Sequence, residues 1–209
     1  MIGVIDYGMG NLFSVSKALE RLNIEYKIGD RPDQLHGCDG YILPGVGAFP
    51  DAMKALAEHQ FIGFIHKKVE EGVPLYGICL GMQLLFESSE EGGWTDGLGI
   101  FPGTIRRFSG IDENGRAYKV PHMGWNQMNI RRPEKELLTD VENEYVYFVH
   151  SYAAVTEDED ILYATADYHS DVPAIVGRDH VVASQFHPEK SGRAGMQLLE
   201  NFCRMMCRQ

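Results

Sequence analysis

Val73-Pro74-Leu75-Tyr76-Gly77-Ile78-Cys79-Leu80-Gly81-Met82-Gln83-Leu84-Leu85-Phe86 carries the pattern that decides the fold. Residues 73–78 have the short apolar character of a buried strand, and residues 82–86 open a helical pattern. Between them stands a cysteine bracketed by Gly77 and Gly81. Strand, tight turn and helix in immediate succession is the unit from which parallel sheets are wound, because the helix carries the chain back along the sheet face before the next strand.

The same alternation extends upstream. Ile2–Ile5 reads as a first strand and residues 12–22 as a helix. Residues 41–43 read as a buried strand, followed by a helical stretch over 49–71 with an interruption near Gly63. Downstream the character changes: residues 103–108, 119–120, 126–130, 145–152, 161–167, 174–177 and 181–186 are strand-like, with turn chemistry between them. That implies antiparallel additions to a parallel core. Residues 191–208 close as an amphipathic helix with Met196, Leu199 and Phe202 on one face. The expected fold is α/β: a mixed, mainly parallel sheet flanked by helices, with added antiparallel strands. In 209 residues, 44% of them hydrophobic, there is no repeat or linker, so one domain over 1–209 is expected.

A formal net charge of −11 argues against a surface that tracks nucleic-acid phosphates or an anionic membrane. A small or neutral substrate suits it better. No apolar run has the length of a membrane span, and Met1 leads directly into Ile2-Gly3-Val4-Ile5 without the basic head of a secretory signal. A cytoplasmic protein is expected. Cys38, Cys79, Cys203 and Cys207 are too few and too unevenly spaced for a disulfide framework. Cys203 and Cys207 share a helix face, yet no second pair of Cys or His completes a zinc set, so neither metal nor cofactor is expected.

Three motifs carry chemistry. Gly77-Ile78-Cys79-Leu80-Gly81 has the form of a nucleophile elbow with Cys in place of Ser, and its small residues allow the tight turn and close backbone approach. The elbow places the sulfur at a helix N-terminus, where the dipole favours a thiolate; a free thiol of pKa about 8.5 is only about 3% ionised at neutral pH. Read alone, the pentapeptide also fits a buried cysteine in a Gly-flanked turn. His187-Pro188-Glu189 follows a strand whose C-terminal end, in a parallel sheet, reaches the same edge. His187 there would accept the thiol proton while Glu189 holds its other ring nitrogen. Leu43-Pro44-Gly45-Val46-Gly47-Ala48-Phe49 is a Gly-rich loop suited to aiming backbone N–H groups at a developing oxyanion, with Leu80 N–H as the second donor.

Together, Tyr76-Gly77-Ile78-Cys79-Leu80-Gly81-Met82-Gln83 and Phe186-His187-Pro188-Glu189-Lys190 resemble the signature segments of the class I glutamine amidotransferases. The likeness covers nearly the whole chain. Ile5-Asp6-Tyr7-Gly8-Met9-Gly10-Asn11-Leu12, His122-Met123-Gly124-Trp125-Asn126 and Tyr147-Phe148-Val149-His150-Ser151-Tyr152 resemble, within that family, the glutaminase subunits that serve a cyclase. Pro44-Gly45-Val46-Gly47 is the discriminating piece, since relatives in other pathways resemble Pro-Gly-Gly there. The resemblance implies a flavodoxin-like fold, L-glutamine as substrate, Cys79 as nucleophile, His187 as general acid/base and Glu189 as its orienter. It implies an oxyanion hole of Val46, Gly47 and Leu80, and substrate binding by Gln83, Glu91, His150, Ser151 and Tyr152. A solvated acidic loop is the other reading of Glu91. It also implies a heterodimer with a (βα)₈-barrel cyclase subunit of histidine biosynthesis, met through Asn11, Pro121, Met123, Trp125, Tyr147 and Lys190. Because the acceptor carries two phosphates, an acidic chain without a P-loop agrees with housing it on the partner.

β-branched Val46 makes a positive φ costly, so the Gly45–Val46 peptide is expected to aim its N–H away from the oxyanion until a partner rearranges the loop. Two rival readings are weaker. Gly8-Met9-Gly10 with Asp30 suggests a dinucleotide site, but Phe13 occupies the third glycine position. An inert subunit is disfavoured by the complete triad, and a hydrolase of another amide is distinguished by which substrate acylates Cys79.

Overall fold

The computed structural model describes residues 1–206; Cys207, and with it the helix face expected to be shared by Cys203 and Cys207, lies outside the described residues. Among these residues the strands are β1 (Ile2–Ile5), β2 (Tyr26–Gly29), β3 (Gly40–Leu43), β4 (Leu75–Ile78), β5 (Phe86–Ser89), β6 (Thr95–Asp96), β7 (Phe101–Arg107), β8 (His122–Ile130), β9 (Tyr145–His150), β10 (Tyr152–Val155), β11 (Leu162–Asp167), β12 (Asp171–Arg178) and β13 (Val181–Ser184). The helices are α1 (Leu12–Arg21), α2 (Phe49–Glu58), α3 (Phe61–Glu70), α4 (Leu80–Leu84) and α5 (Gly192–Met206).

The larger sheet runs β2-β1-β3-β4-β13-β12-β11-β8-β9. Its first five strands pair in parallel and the remaining four are antiparallel. β1, β3, β4 and β13 are buried at every position, as strands covered on both faces must be. Ile5, Leu43 and Leu75 pack on one face with Leu56, Phe61, Phe64 and Ile65 of α2 and α3. Ile2, Val4, Ile42 and Tyr76 pack on the other with Val15 and Leu19 of α1 and Leu198, Leu199 and Phe202 of α5. The connection from β1 leads to β2 and that from β3 to β4, so the strand order diverges between β1 and β3. Crevices form beyond the carboxyl ends of strands at such a switch point. A smaller sheet, β10-β7-β5-β6, stands beside this edge.

Several expectations are corrected. The stretch over 49–71 breaks at His59 and Gln60, not near Gly63: Gln60 is left-handed (φ 62°), and the turn lets α2 and α3 each lay an apolar face on the same side of the sheet. The helix after the elbow starts at Leu80, not Met82, and ends at Leu84 because Phe86 is drawn into β5, its ring against Phe101 at 5.8 Å. Residues 119–120 form no strand but lead into the cis Val120–Pro121 peptide. The run over 145–152 divides at Ser151, β9 staying in the large sheet and β10 crossing to the small one. β2 went unseen, being an edge strand with two exposed residues and no apolar run.

Gly81 explains the tightness of the elbow. A Cβ there would lie 1.9 Å from the Leu43 carbonyl oxygen, so the first turn of α4 packs directly on the end of β3. Gly81→Ala should therefore cost about 3 kcal/mol or more in urea denaturation, as overpacking against backbone does. Gly63→Ala, exposed inside α3 with nothing within 4 Å of the added methyl, should instead stabilise the chain by about 0.5–1 kcal/mol.

Candidate active site

Cys79 follows β4 in a strained conformation, φ 55° and ψ −110°, which a non-glycine residue adopts only when its surroundings impose it. They do so through backbone bonds: Cys79 N–H donates to Ser184 O of β13 (2.8 Å), and Cys79 O accepts from Met82 N (3.0 Å) and Gln83 N (3.3 Å). The thiol is 7% exposed at the floor of a cavity. α4 behind it is only five residues long and buried throughout, so its dipole is a lesser influence on the sulfur than expected. A neighbour the sequence reading overlooked is Gln185, whose Nε2 donates to Cys79 Sγ at 3.9 Å.

His187 follows β13 at the same edge. Its Nδ1 meets Glu189 Oε1 at 2.8 Å, with the two side chains 3% and 1% exposed. Glu189 Oε2 is buried with no hydrogen-bond partner among the described residues, so His187 is the group that answers this carboxylate. Burial alone would lower the His187 pKa, but hydrogen bonds to Cys79 and Glu189 and their charges outweigh it and raise it to about 9. At neutral pH the imidazole is therefore protonated, with Cys79 and Glu189 on either side of it. Ser191 Oγ fastens the turn, donating to His187 O (2.6 Å) and accepting from Tyr147 N (3.0 Å).

The cavity, about 360 Å³, is walled by Val46, Gly47, Leu80, Gln83 and Glu91 on one side and Pro121, His150, Ser151 and Tyr152 on the other, with Cys79 and His187 between them. All the residues expected to handle substrate thus reach one space. Their groups differ in availability. Val46 N–H donates to Met9 O (3.0 Å), so it is not aimed at the cavity, in line with the expectation from its β-branched side chain. Glu91 accepts from Phe49 N (2.8 Å), capping α2, which has no side-chain cap of its own. Gln83 Nε2 donates to Tyr152 O (2.9 Å) and Gln185 Oε1 (3.0 Å).

His150 has both ring nitrogens engaged. Nδ1 donates to Tyr152 O (2.8 Å), which leaves Nε2 to accept from His122 Nδ1 (3.0 Å); His122 Nε2 then accepts from Asn126 Nδ2 (3.1 Å). The tautomers follow from the carbonyl at one end of this chain. Burial lowers His122 to about 4. His150 falls to about 3, through burial first, opposed by the Tyr152 bond and reinforced by His122. His150 therefore presents neutral ring surface to the cavity.

Met123 and Trp125 are exposed on the outer face of β8, across from Val149 and Tyr147 of β9. Trp125 and Tyr147 make an edge-to-face contact at 6.1 Å. This apolar face meets the cavity mouth at Val149 and Pro121. Lys190 is exposed, and Asn11 accepts from Ser14 N (3.3 Å) as the cap of α1.

A cysteine on a strand-to-helix elbow, served by a buried His–Glu pair at the carboxyl edge of a mainly parallel sheet, is the architecture of an acyl-transferring α/β enzyme. The chain belongs to the class-I glutamine amidotransferase family, whose model matches residues 3–206. It is 56% identical over 206 residues to the imidazole glycerol phosphate synthase subunit HisH of Halalkalibacterium halodurans (99% of this chain, 96% of that one). It is 52% identical over 209 residues to the Bacillus subtilis subunit of the same name (100% and 98%). Among solved structures, a glutamine amidotransferase superposes with a TM-score of 0.76 at 23% identity (99% and 98% covered), and PurLQS from Thermotoga maritima with 0.74 at 18% (97% and 97%). These structures share the fold.

The buried histidine pair has a thermodynamic signature. Unfolded imidazoles protonate near pH 6.5, while His122 and His150 stay neutral in the folded chain until about pH 4 and about pH 3. Their contribution is present above about 6.5 and is lost as pH falls below it. Near pH 5 they leave the unfolded chain binding about two more protons, a slope of up to about 2.7 kcal/mol per pH unit. Urea denaturation at pH 7, 6 and 5 should show this loss, and His122→Gln should remove about half of the histidine contribution to the slope.

Proposed function

We infer that this chain is the glutamine-hydrolysing subunit of an imidazole glycerol phosphate synthase, acting as one amidotransferase domain in the cytoplasm. The observation that carries the reading is His187, held as a cation between Glu189 and Cys79 at the floor of the cavity. A cavity of about 360 Å³, near the small end of ligand pockets at about 300–1,000 Å³, suits a free amino acid. The 52–56% identity to HisH subunits over nearly the whole chain supports the assignment.

In the proposed reaction the Cys79 thiolate attacks the side-chain amide carbon of L-glutamine. The oxyanion is met by Leu80 N–H and by a second N–H from the Val46–Gly47 loop. His187 Nε2–H protonates the departing ammonia, and the freed imidazole then takes a proton from the water that hydrolyses the γ-glutamyl thioester. Glu189 holds Nδ1–H throughout. Gln83, Glu91, His150, Ser151 and Tyr152 shape the substrate site, Glu91 offering its carboxylate to the substrate ammonium. Ammonia passes to a (βα)₈-barrel cyclase that carries the phosphorylated acceptor and docks on the Met123, Trp125 and Tyr147 face, with Asn11, Pro121 and Lys190 around it. Exposed aromatic clusters of this kind are typical interface centres. With Val46 N–H bound to Met9 O, the free chain lacks its second oxyanion donor, and assembly with acceptor-loaded cyclase turns the loop.

Glutamate release by wild type and Cys79→Ala, each alone and with cyclase plus acceptor ribonucleotide, tests this. Release should require both Cys79 and the loaded partner, with the variant down by ~10⁴-fold or more. No release under any condition would remove the glutaminase reading, and full release by the chain alone would remove the gate. In the assembled enzyme kcat/KM should fall as pH rises through about 9, because the proton lost from His187 is the one ammonia requires.

A further inference from the structure

Tyr7 has a buried hydroxyl that finds no hydrogen-bond partner among the described residues. Its ring is 1% exposed and packed in the core beneath the Gly-rich loop. A Cβ built on Gly45 would lie 2.7 Å from Tyr7 Oη, 2.8 Å from Gly81 N and 2.9 Å from Leu80 Cβ. The hydroxyl, the first turn behind the elbow and the Gly45 backbone therefore converge on one point. Two residues along, Met9 O holds the Val46 N–H at 3.0 Å. A single short stretch thus supplies the acceptor that restrains the loop peptide and, next to it, a donor with nothing to donate to. Burial, and secondarily the charge of Cys79, push the Tyr7 pKa well above its ordinary value, so the group remains a donor at working pH.

The N–H and C=O of a trans peptide point in opposite directions. If Val46 N–H turns into the cavity, as the proposed glutaminase reaction requires, the Gly45 carbonyl swings toward the side the N–H has left. There it faces Met9 O, another acceptor, and needs a donor. Gly45 has no side chain to obstruct the turn. Resting on that reading of the reaction, we propose that Tyr7 is a positioning residue: its hydroxyl donates to the turned Gly45 carbonyl and holds the Val46 N–H in the oxyanion site. The unpaired hydroxyl disfavours the resting loop, and the bond it gains stabilises the turned one.

The test compares wild type and Tyr7→Phe in complex with the cyclase and its acceptor ribonucleotide. The variant should lose about tenfold in kcat, the worth of one buried hydrogen bond, with KM for glutamine changed less than about twofold. Affinity for the γ-aldehyde analogue of glutamine should fall in parallel with kcat, because thiol addition to the aldehyde carbon places negative charge at the same oxyanion site. The melting temperature of the free Tyr7→Phe chain should be unchanged or higher, since an unpaired hydroxyl has been removed. Full kcat in the variant overturns the proposal, as does a lower melting temperature accompanied by a rise in KM for glutamine as large as the loss in kcat. In the wild-type aldehyde complex, Tyr7 Oη should lie within about 3.2 Å of Gly45 O, and a separation beyond about 4 Å overturns the proposal independently of any variant. Failure of the wild-type complex to release glutamate would instead overturn the glutaminase reading.

Discussion

Parallel pairing of β4 with β13 is the constraint on which the site depends. The register sets Ser184 opposite Ile78, and the next bond, Cys79 N–H to Ser184 O at 2.8 Å, locks the elbow to the strand that leads into Gln185 and His187. Two segments more than a hundred residues apart thereby emerge side by side at one edge. A slip of one residue would send every side chain of β13 to the opposite face and carry His187 with it. Because β13 is buried on both faces, such a slip would exchange Val182 with Val181 and Ala183 between two close-packed clusters, and the register is held by both.

The geometry divides into a part already assembled and a part that is not. Ser191 ties the His187 turn to β9, the His122–His150 chain ties β8 to the cavity wall, and Gln83 and Gln185 link that wall to the elbow. These are buried, mutually satisfied polar groups, which rigidify what they connect. The Gly45–Val46 peptide stands apart, with its N–H engaged away from the cavity. These bonds surround the His187–Glu189 pair, whereas the Gly45–Val46 peptide lies in a loop of glycines, where backbone turning meets the least steric resistance.

How much of this is legible in the sequence follows from range. The central strands are continuous apolar runs, and the Gly-Cys-Gly elbow and His-Pro-Glu turn are local patterns, so the parallel core and the side chains that meet at the cavity floor are legible in them. α4 did not read as a five-residue helix because its end is imposed by Phe86 packing on Phe101, a contact made through the second sheet. The break at Gln60 likewise depends on both helices finding the same sheet face, whereas Gly63 looked locally weaker. Gln185 sits beside the His-Pro-Glu motif yet carried no signal of its own, since its meaning is a distance to a sulfur reached from another strand. Tyr7 and His122 were hidden for the same reason: a buried hydroxyl without a partner and a ring wedged between Tyr168 and Phe148 are properties of surroundings, not of spacing.

The contrast between the buried His187–Glu189 pair and a Val46 N–H bound to Met9 O bears on chemical vulnerability. Alkylating electrophiles such as haloacetamides displace a leaving group at saturated carbon and build no tetrahedral oxyanion, so the orientation of the Gly45–Val46 peptide places no barrier before them. The Cys79 sulfur beside a cationic His187 is partly open to the cavity even without a partner. Under the proposed gate the loop restrains wasteful hydrolysis of glutamine without shielding the thiol itself, which leaves an unassembled chain open to covalent inactivation.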